Sequence, residues 1–410
     1  MDQQGHHKSA LTGGEMATPV LDLVCLALHD IPAEGPVYAR HFHDLVRSIA
    51  TRYPVRAHLV TPVSDGQGAS ADIERPLHWY GAPVLSTGHQ PLAASLTLGR
   101  RIRAVGRTAS DVVACVGHGS TVVVACNWEA LAAVRIVRQR HAVPVVVHGY
   151  TTMASMAGGT YGSLPPGEEQ RLQRWLELCV KACRQEADRT ILMSGRAALD
   201  WPLALEAYPL TWQRLLRRGL VGHTSPLVVV AALKPTATQV RGLTLALGRM
   251  AKSDRPRVAV TSEDGTDLGQ LATAIATDPP NDRPVILPRL GATLAAAVWT
   301  AADAVVVIGT DTDLQWLIAA EASALGTDAI VVDAVGRAVR SWRACRASGA
   351  SRACDPPATT RAETLCDAIG EAVERSRRFP LRVAARPPVG RRAVESAWRV
   401  YCEVRPPCHG

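Results

Sequence analysis

Aromatic residues are scarce in this chain, with 9 Trp, 7 Tyr and 2 Phe among 410 residues. A groove that holds nucleic acid by stacking needs rings interleaved with basic side chains, and no nucleic-acid-binding motif is present, so that partner class is set aside. No window of 18 residues is apolar and free of charge, which excludes a membrane-spanning helix and leaves only peripheral membrane contact open. No C-x-x-C pair occurs among the 10 cysteines, which are scattered from Cys25 to Cys408. They read as separate reduced thiols rather than a disulfide framework. Cys179 and Cys183 share a helix face but lack a second pair at ligand spacing, so no metal is expected. The opening MDQQGHHKSALTGGEMATP has no apolar h-region and reads as a loose polar tail, with a cytoplasmic location expected.

What is present is a long, apolar, mildly basic chain. Apolar residues make up 47%, enough to stabilise a globular fold by burial, and the length fits two domains. The 45 basic and 37 acidic residues give +8, which favours anionic partners without selecting one. Two arginine clusters, Arg100-Arg101-Arg103-Arg107 and Arg214-Arg217-Arg218, read as solvated helix faces.

Short apolar runs alternate with longer amphipathic stretches. Residues 20–28, 57–63, 111–117, 143–149 and 190–195 are one set of predicted strands, with helices predicted at 38–50, 128–140 and 168–187. A second set of strands falls at 227–233, 257–262, 284–289, 304–309 and 329–336, with helices at 237–252, 267–277, 293–302 and 314–325. Strands that are apolar throughout, separated by helices, indicate buried parallel sheets. An α/β protein follows, with a tail (1–18), a Rossmann-like domain (19–212), a second one (213–385) and a closing helix and tail (386–410). The linker is placed near 210–225, and helices are also read at 359–375 and 389–404.

The segment from Gly291 to Gly336 carries the narrower reading. It runs through Ala302-Asp303, a strand, Asp313, Glu321 eight residues on, Ala322, Gly326, another strand and Gly336. This resembles the donor-site block of the family-4 retaining glycosyltransferases, which have the GT-B fold: two Rossmann-like domains facing across a cleft. The resemblance implies that Asp313 contacts the transferred sugar and Glu321 the nucleotide ribose. It also implies that the backbone amides of Leu314, Gln315, Trp316 and Leu317 meet the diphosphate, a task suited to a helix N-terminus. Taken alone, Asp313 is equally an ordinary N-cap and Glu321 a solvated helix residue.

The amino-terminal half is similar to the same family. In LHDIPAEGPVYARHFHDL, Gly35 is where backbone would approach the donor phosphate, although Pro36 replaces the second glycine of the usual pair. In CNWEALAAVRIVRQRHAVPVVVHGY, His148 ends a strand and is the acceptor-side candidate, with a buried structural histidine as the alternative. His41 and His43, on the first helix, read as surface residues.

Three departures weaken the donor site. Asp313 stands for the usual Glu, Gln315-Trp316 for an aromatic-Gly step, and Ala232 and Ala237 for the Arg and Lys that bind the diphosphate. Lys234 and Arg241 are the nearby replacements for those cations. Without either, the barrier to diphosphate departure rises by several kcal/mol, on the order of the effect of removing charge-stabilising donors. The family implies no metal and no cofactor, and Asp311-Thr312-Asp313 matches a D-x-D motif by chance. The partners expected are a nucleotide-diphosphate sugar and a small polar acceptor, with transfer retaining anomeric configuration. The rival readings are a GT-B pseudoenzyme that assists a partner and, further off, a non-hydrolysing nucleotide-sugar epimerase. The loops expected at the acceptor are 85–91 and 150–165, the second reading as a lid.

Overall fold

The computed structural model describes residues 21–29, 36–64, 73–74, 77–84, 94–117, 119–150, 166–192, 216–217, 219–220, 225–251, 255–262, 266–276, 283–287, 290, 292–310, 312–334, 336–339, 365–378 and 391–405. The first lobe contains β1 (Leu21–Leu26), α1 (Val37–Arg52), β2 (Val55–Ser64), β3 (Ile73–Glu74), β4 (Leu77–Val84), α2 (Ala94–Val116), β5 (Thr121–Cys126), α3 (Leu131–Arg138), β6 (Val145–Gly149), α4 (Pro166–Cys183) and β7 (Arg189–Leu192). Its sheet has the order β3-β4-β2-β1-β5-β6-β7, parallel except for β3–β4.

The second lobe contains β8 (Leu227–Leu233), α5 (Ala237–Arg249), β9 (Arg257–Ser262), α6 (Leu268–Ile275), β10 (Val285–Ile286), α7 (Ala292–Ala301), β11 (Ala304–Gly309), α8 (Thr312–Ala324), β12 (Asp328–Val332), β13 (Ala338–Val339) and α9 (Leu365–Arg378). Its sheet runs β10-β9-β8-β11-β12-β13, parallel except for β12–β13. The last helix, α10 (Arg391–Val404), returns to the first lobe, where Trp398 stacks on Tyr53 at 4.5 Å.

The two sheets bear out the expected pair of Rossmann-like units. Valine-rich β8 and β11 are buried along their whole length, because helices cover both faces. In each sheet the strand order reverses once, between β1 and β5 and again between β8 and β11. At such a switch point the connecting helices leave in opposite directions and open a crevice beyond the carboxyl ends of the strands.

One predicted strand is corrected. Residues 111–116 end α2, and the strand is Thr121–Cys126 instead. The run DVVACV continues the buried stripe Leu98, Ile102, Val105, Ala109, Val112 and Val113, whose three- and four-residue spacing is helical. Gly117, at φ +88, ends the helix in the left-handed conformation. Strand β4 carries only a partly buried pattern and had no apolar run to reveal it. His41 and His43 are also corrected, from surface to buried positions at 0% and 8% exposure. Helix α1 has no solvent face from Val37 to Val46, since it lies between its own sheet and the second lobe. Arg217 is only partly solvated: it pairs with Asp303 at 2.6 Å, so the Asp of the Ala302-Asp303 step is anchored at the start of β11. Of the linker expected near 210–225 only residues 216–217, 219–220 and 225 are described, and of the loop 150–165 only Tyr150; the loop 85–91 and the tail 1–18 lie outside the described residues.

The ends of β8 and β11 are held close together. Thr310 N–H donates to Leu233 O at 3.0 Å, and a Cβ on Gly309 would overlap that same carbonyl. Gly309→Ala therefore lowers unfolding free energy by about 1–3 kcal/mol in urea titration, as overpacking does. Gly99→Ala, at an open position on α2, raises it by about 0.5–1 kcal/mol through helix propensity.

Candidate functional site

Two polar groups occupy the switch points. In the first lobe, His29 follows β1 and Glu129 follows β5, on either side of the β1/β5 reversal. His29 Nε2 lies 2.8 Å from Glu129 Oε1, and the Tyr38 hydroxyl of α1 donates to the same oxygen at 2.8 Å and sits 2.9 Å from the imidazole. Because a carboxylate only accepts, the short contact is read with His29 Nε2–H as its donor. All three side chains are buried. Asn127, at φ +67, makes the turn that presents Glu129: its N–H donates to His148 O, and its Oδ1 accepts from Tyr150 N–H. With ψ at 168 this lies outside the left-handed helical region and in territory otherwise left to glycine, so the turn is strained.

In the second lobe, the β8–α5 and β11–α8 turns adjoin. Gln239, paired with Thr236 in a capping box at the start of α5, is buried. Its amide donates to Gly309 O, Val332 O and Asp333 O, tying α5 to the ends of β11 and β12. Lys234 holds a strained left-handed φ of +48 in the first turn, its N–H bonded to Thr266 Oγ1.

Between the lobes lies a buried ion pair. Arg40 of α1 grips Glu321 of α8 with two bonds, Nε to Oε1 and Nη2 to Oε2, each 3.0 Å. Trp299 Nε1 donates to Oε2 at 3.1 Å, and Arg40 Nη1 donates to Leu290 O at 3.1 Å. The side chains are 2% and 0% exposed. Burial pushes the Glu321 carboxyl upward, but the Arg40 charge and hydrogen bonds, His41 and Trp299 together hold it below the ordinary carboxylate value. Glu321 is thus an anion at the seam between the lobes.

The remaining candidates fall in different places. Asp313 is the second residue of α8, inside its first turn rather than in the loop before it, because the helix begins at Thr312. Its side chain, like Gly35, lies outside the described residues. Leu314 and Leu317 point into the core, the Gln315 amide donates to Val332 O, and Trp316 packs half-buried on the same core. A helix that starts at Thr312 spends the backbone amides of Gln315, Trp316 and Leu317 on its own first intrahelical bonds, so the amides that open α8 lie earlier than the spacing suggested.

Lys234 and Arg241 line a groove of about 740 Å³ between α5 and α6, together with Thr266, Asp267 and Gln270. That groove is on the sheet face covered by α5, α6 and α9, while Glu321 is on the face covered by α7 and α8. Arg241 is therefore not gathered with Glu321. Lys234 stands one residue beyond Leu233, whose carbonyl accepts from Thr310 N–H at the end of β11.

His148 is fully buried, with Nε2 2.7 Å from the Tyr401 hydroxyl of α10 and its ring edge-on to Phe42. Burial lowers its pKa to about 3. A neutral imidazole closed in by α10 has the character of the structural alternative. Arg40, Trp299 and the His29–Tyr38–Glu129 group had not been singled out. Arg40 carried no local signal, because on an amphipathic helix beside His41, His43, Asp44 and Arg47 it reads as one more solvated charge.

No protein-family model matches the chain, and no curated protein does. Among solved structures, the catalytic domain of starch synthase IV from Arabidopsis thaliana, bound to ADP and acarbose, matches with a TM-score of 0.54 at 11% identity, over 94% of this chain and 99% of that one. Sucrose-phosphate synthase from Thermosynechococcus elongatus matches at TM-score 0.49 and 13% identity, over 93% of this chain and 96% of that one. UDP-GlcNAc 2-epimerase from Neisseria meningitidis, bound to UDP-GlcNAc, gives 0.46 and 11%, over 93% and 100%. The chain has the GT-B glycosyltransferase-like fold, and at these identities the likeness is one of fold.

The buried histidines make stability depend on pH. Burial lowers His41 to about 4 despite the neighbouring Glu321, and His148 to about 3. Below about 6.5 the unfolded chain takes up protons that the folded chain refuses. Their contribution is complete above that pH and falls by about 1.4 kcal/mol per pH unit for each histidine down to pH 4. Urea midpoints between pH 7 and 4.5 should show this slope, and His148→Gln should remove roughly half of these two histidines' share.

Proposed function

We propose that this chain is a glycosyltransferase moving a sugar from a nucleotide-diphosphate sugar to a hydroxyl of a small polar acceptor, with retention of anomeric configuration. The observation that carries the reading is Glu321, an ionised carboxylate at the contact between two Rossmann-like lobes. In the family that the sequence resembles, an acid at this spacing binds the nucleotide ribose. The amides opening α8 then meet the diphosphate with the positive end of the helix, and Lys234 adds charge from the adjoining turn. The acceptor lies against the first lobe, where Glu129 and Tyr38 hold His29. The imidazole orients the attacking hydroxyl, and the departing phosphate oxygen takes its proton.

A second reading, a GT-B pseudoenzyme that serves a partner without turnover, is favoured by two observations. Ala232 and Ala237 leave the β8–α5 turn without its usual cations, and Glu321 is already engaged by Arg40. The two readings separate on turnover. For a transferase, a panel of nucleoside diphosphates and their sugars raises the thermal midpoint for at least one nucleotide, by about 2.7 kcal/mol of added stability at a hundredfold excess over Kd. Glu321→Gln abolishes that shift. No turnover across the full panel, with a protein partner still bound, selects the pseudoenzyme.

The His29 assignment is tested by partition. His29→Ala should lower acceptor transfer on the order of a hundredfold while slowing donor hydrolysis far less. Equal losses in both would remove His29 from the acceptor site.

A further inference from the structure

We propose that Arg40 holds the place of the donor's ribose on Glu321, so that nucleotide binds by displacing an arginine of the opposite lobe. The inference rests on the reading of Glu321 as the ribose-binding acid. Both oxygens of that carboxylate are taken: Arg40 Nε and Nη2 bond one each, and Trp299 adds a third donor. A guanidinium edge offers two parallel N–H donors to a carboxylate, and a ribose cis-diol offers two O–H donors to the same pair of oxygens. The two cannot be seated together. The other terminal nitrogen, Nη1, bonds Leu290 O, in the segment leading into α7, so the guanidinium spans the region between α7 and α8.

Stability alone does not call for this pair. A buried ion pair is commonly no better than apolar residues of the same volume, because both charges must be stripped of water. The surroundings are apolar: Leu314, Leu317, Ile318 and Trp299 belong to one core cluster with Val37, Phe42 and Leu45 of α1. What the pair supplies is a contact between lobes that a competing donor can replace. While it is closed, the apparent affinity for nucleotide is reduced by the fraction of molecules in which it is open. The device also selects: a ligand must bring its own pair of donors to Glu321, or the carboxylate is left buried and unpaired.

The experiment measures binding of uridine, adenosine, guanosine and thymidine diphosphates to the full chain by calorimetry, with small-angle scattering of the ligand-free protein. Arg40→Lys keeps the charge but loses the two-pronged grip, and Arg40→Gln loses both. The tightest-binding nucleotide should gain affinity in the order wild type, Arg40→Lys, Arg40→Gln, by at least about tenfold overall, or 1.4 kcal/mol. The radius of gyration should rise in the same order, and Glu321→Gln in the Arg40→Gln background should cancel the gain. If Arg40→Gln does not fold, Arg40→Lys carries the test. Affinity that is unchanged or weaker in the variants, with wild type still binding, overturns the displacement and leaves the donor reading standing. If no nucleotide binds to any form, the donor reading fails and takes the displacement with it.

Discussion

The Arg40–Glu321 pair is the constraint on which the rest of the molecule turns. It is the point where helix α1, carried by the first sheet, meets helix α8, carried by the second. Removing one partner would strand a charge in an apolar seam, at a cost of about 3–5 kcal/mol. That cost explains the burial of Arg40, His41 and His43 on a helix that would otherwise show a face to solvent. Neutral His41 beside Glu321 follows from the same seam: burial overrides the pull of the carboxylate.

Around that contact each lobe builds its crevice wall by the same device. A strand reversal leaves two turns side by side, and a side chain from the next helix ties them. In the second lobe Gln239 does this through three carbonyls, and Gly309 lets β11 and β8 close without a Cβ between them. In the first lobe Tyr38 plays the equivalent part, reaching from α1 to both His29 and Glu129. Polar residues are affordable there because they satisfy one another, and three well-placed donors and acceptors in a dry wall are far more directional than the same groups in water.

The fold was legible where apolar period and burial agree. Strands β8 and β11 could be read almost to the residue, since a valine run buried on both faces has few alternatives. Residues 111–116 misled for the opposite reason: two adjacent valines in a longer three-four stripe look like a strand when the window is short. The site was less legible. Asp313 and Glu321 share a helix, so their spacing is visible in one segment, whereas Arg40 and Glu321 are 281 residues apart and His29 and Glu129 are 100 apart. Nothing local links such pairs; only the strand order brings them together. His148 ends a strand as expected, but α10, returning from the far end of the chain, closes over it through Tyr401.

The shortage of positive charge at the donor end ties the chemistry back to the seam. Ala232 is buried in β8 and Ala237 opens α5, so neither can steady a departing diphosphate. The amides of α8 supply a partial charge, worth about 0.3–1 kcal/mol to an anion at an exposed terminus, against about 2.7–4 kcal/mol for a donor aimed at developing charge. Full charge must then come from side chains off the usual positions. Lys234 is the side chain proposed for it, held in a strained turn beside the end of β11. In the proposed displacement the same guanidinium that joins the lobes also covers Glu321, so the short supply of charge and the closed carboxylate are two sides of one contact.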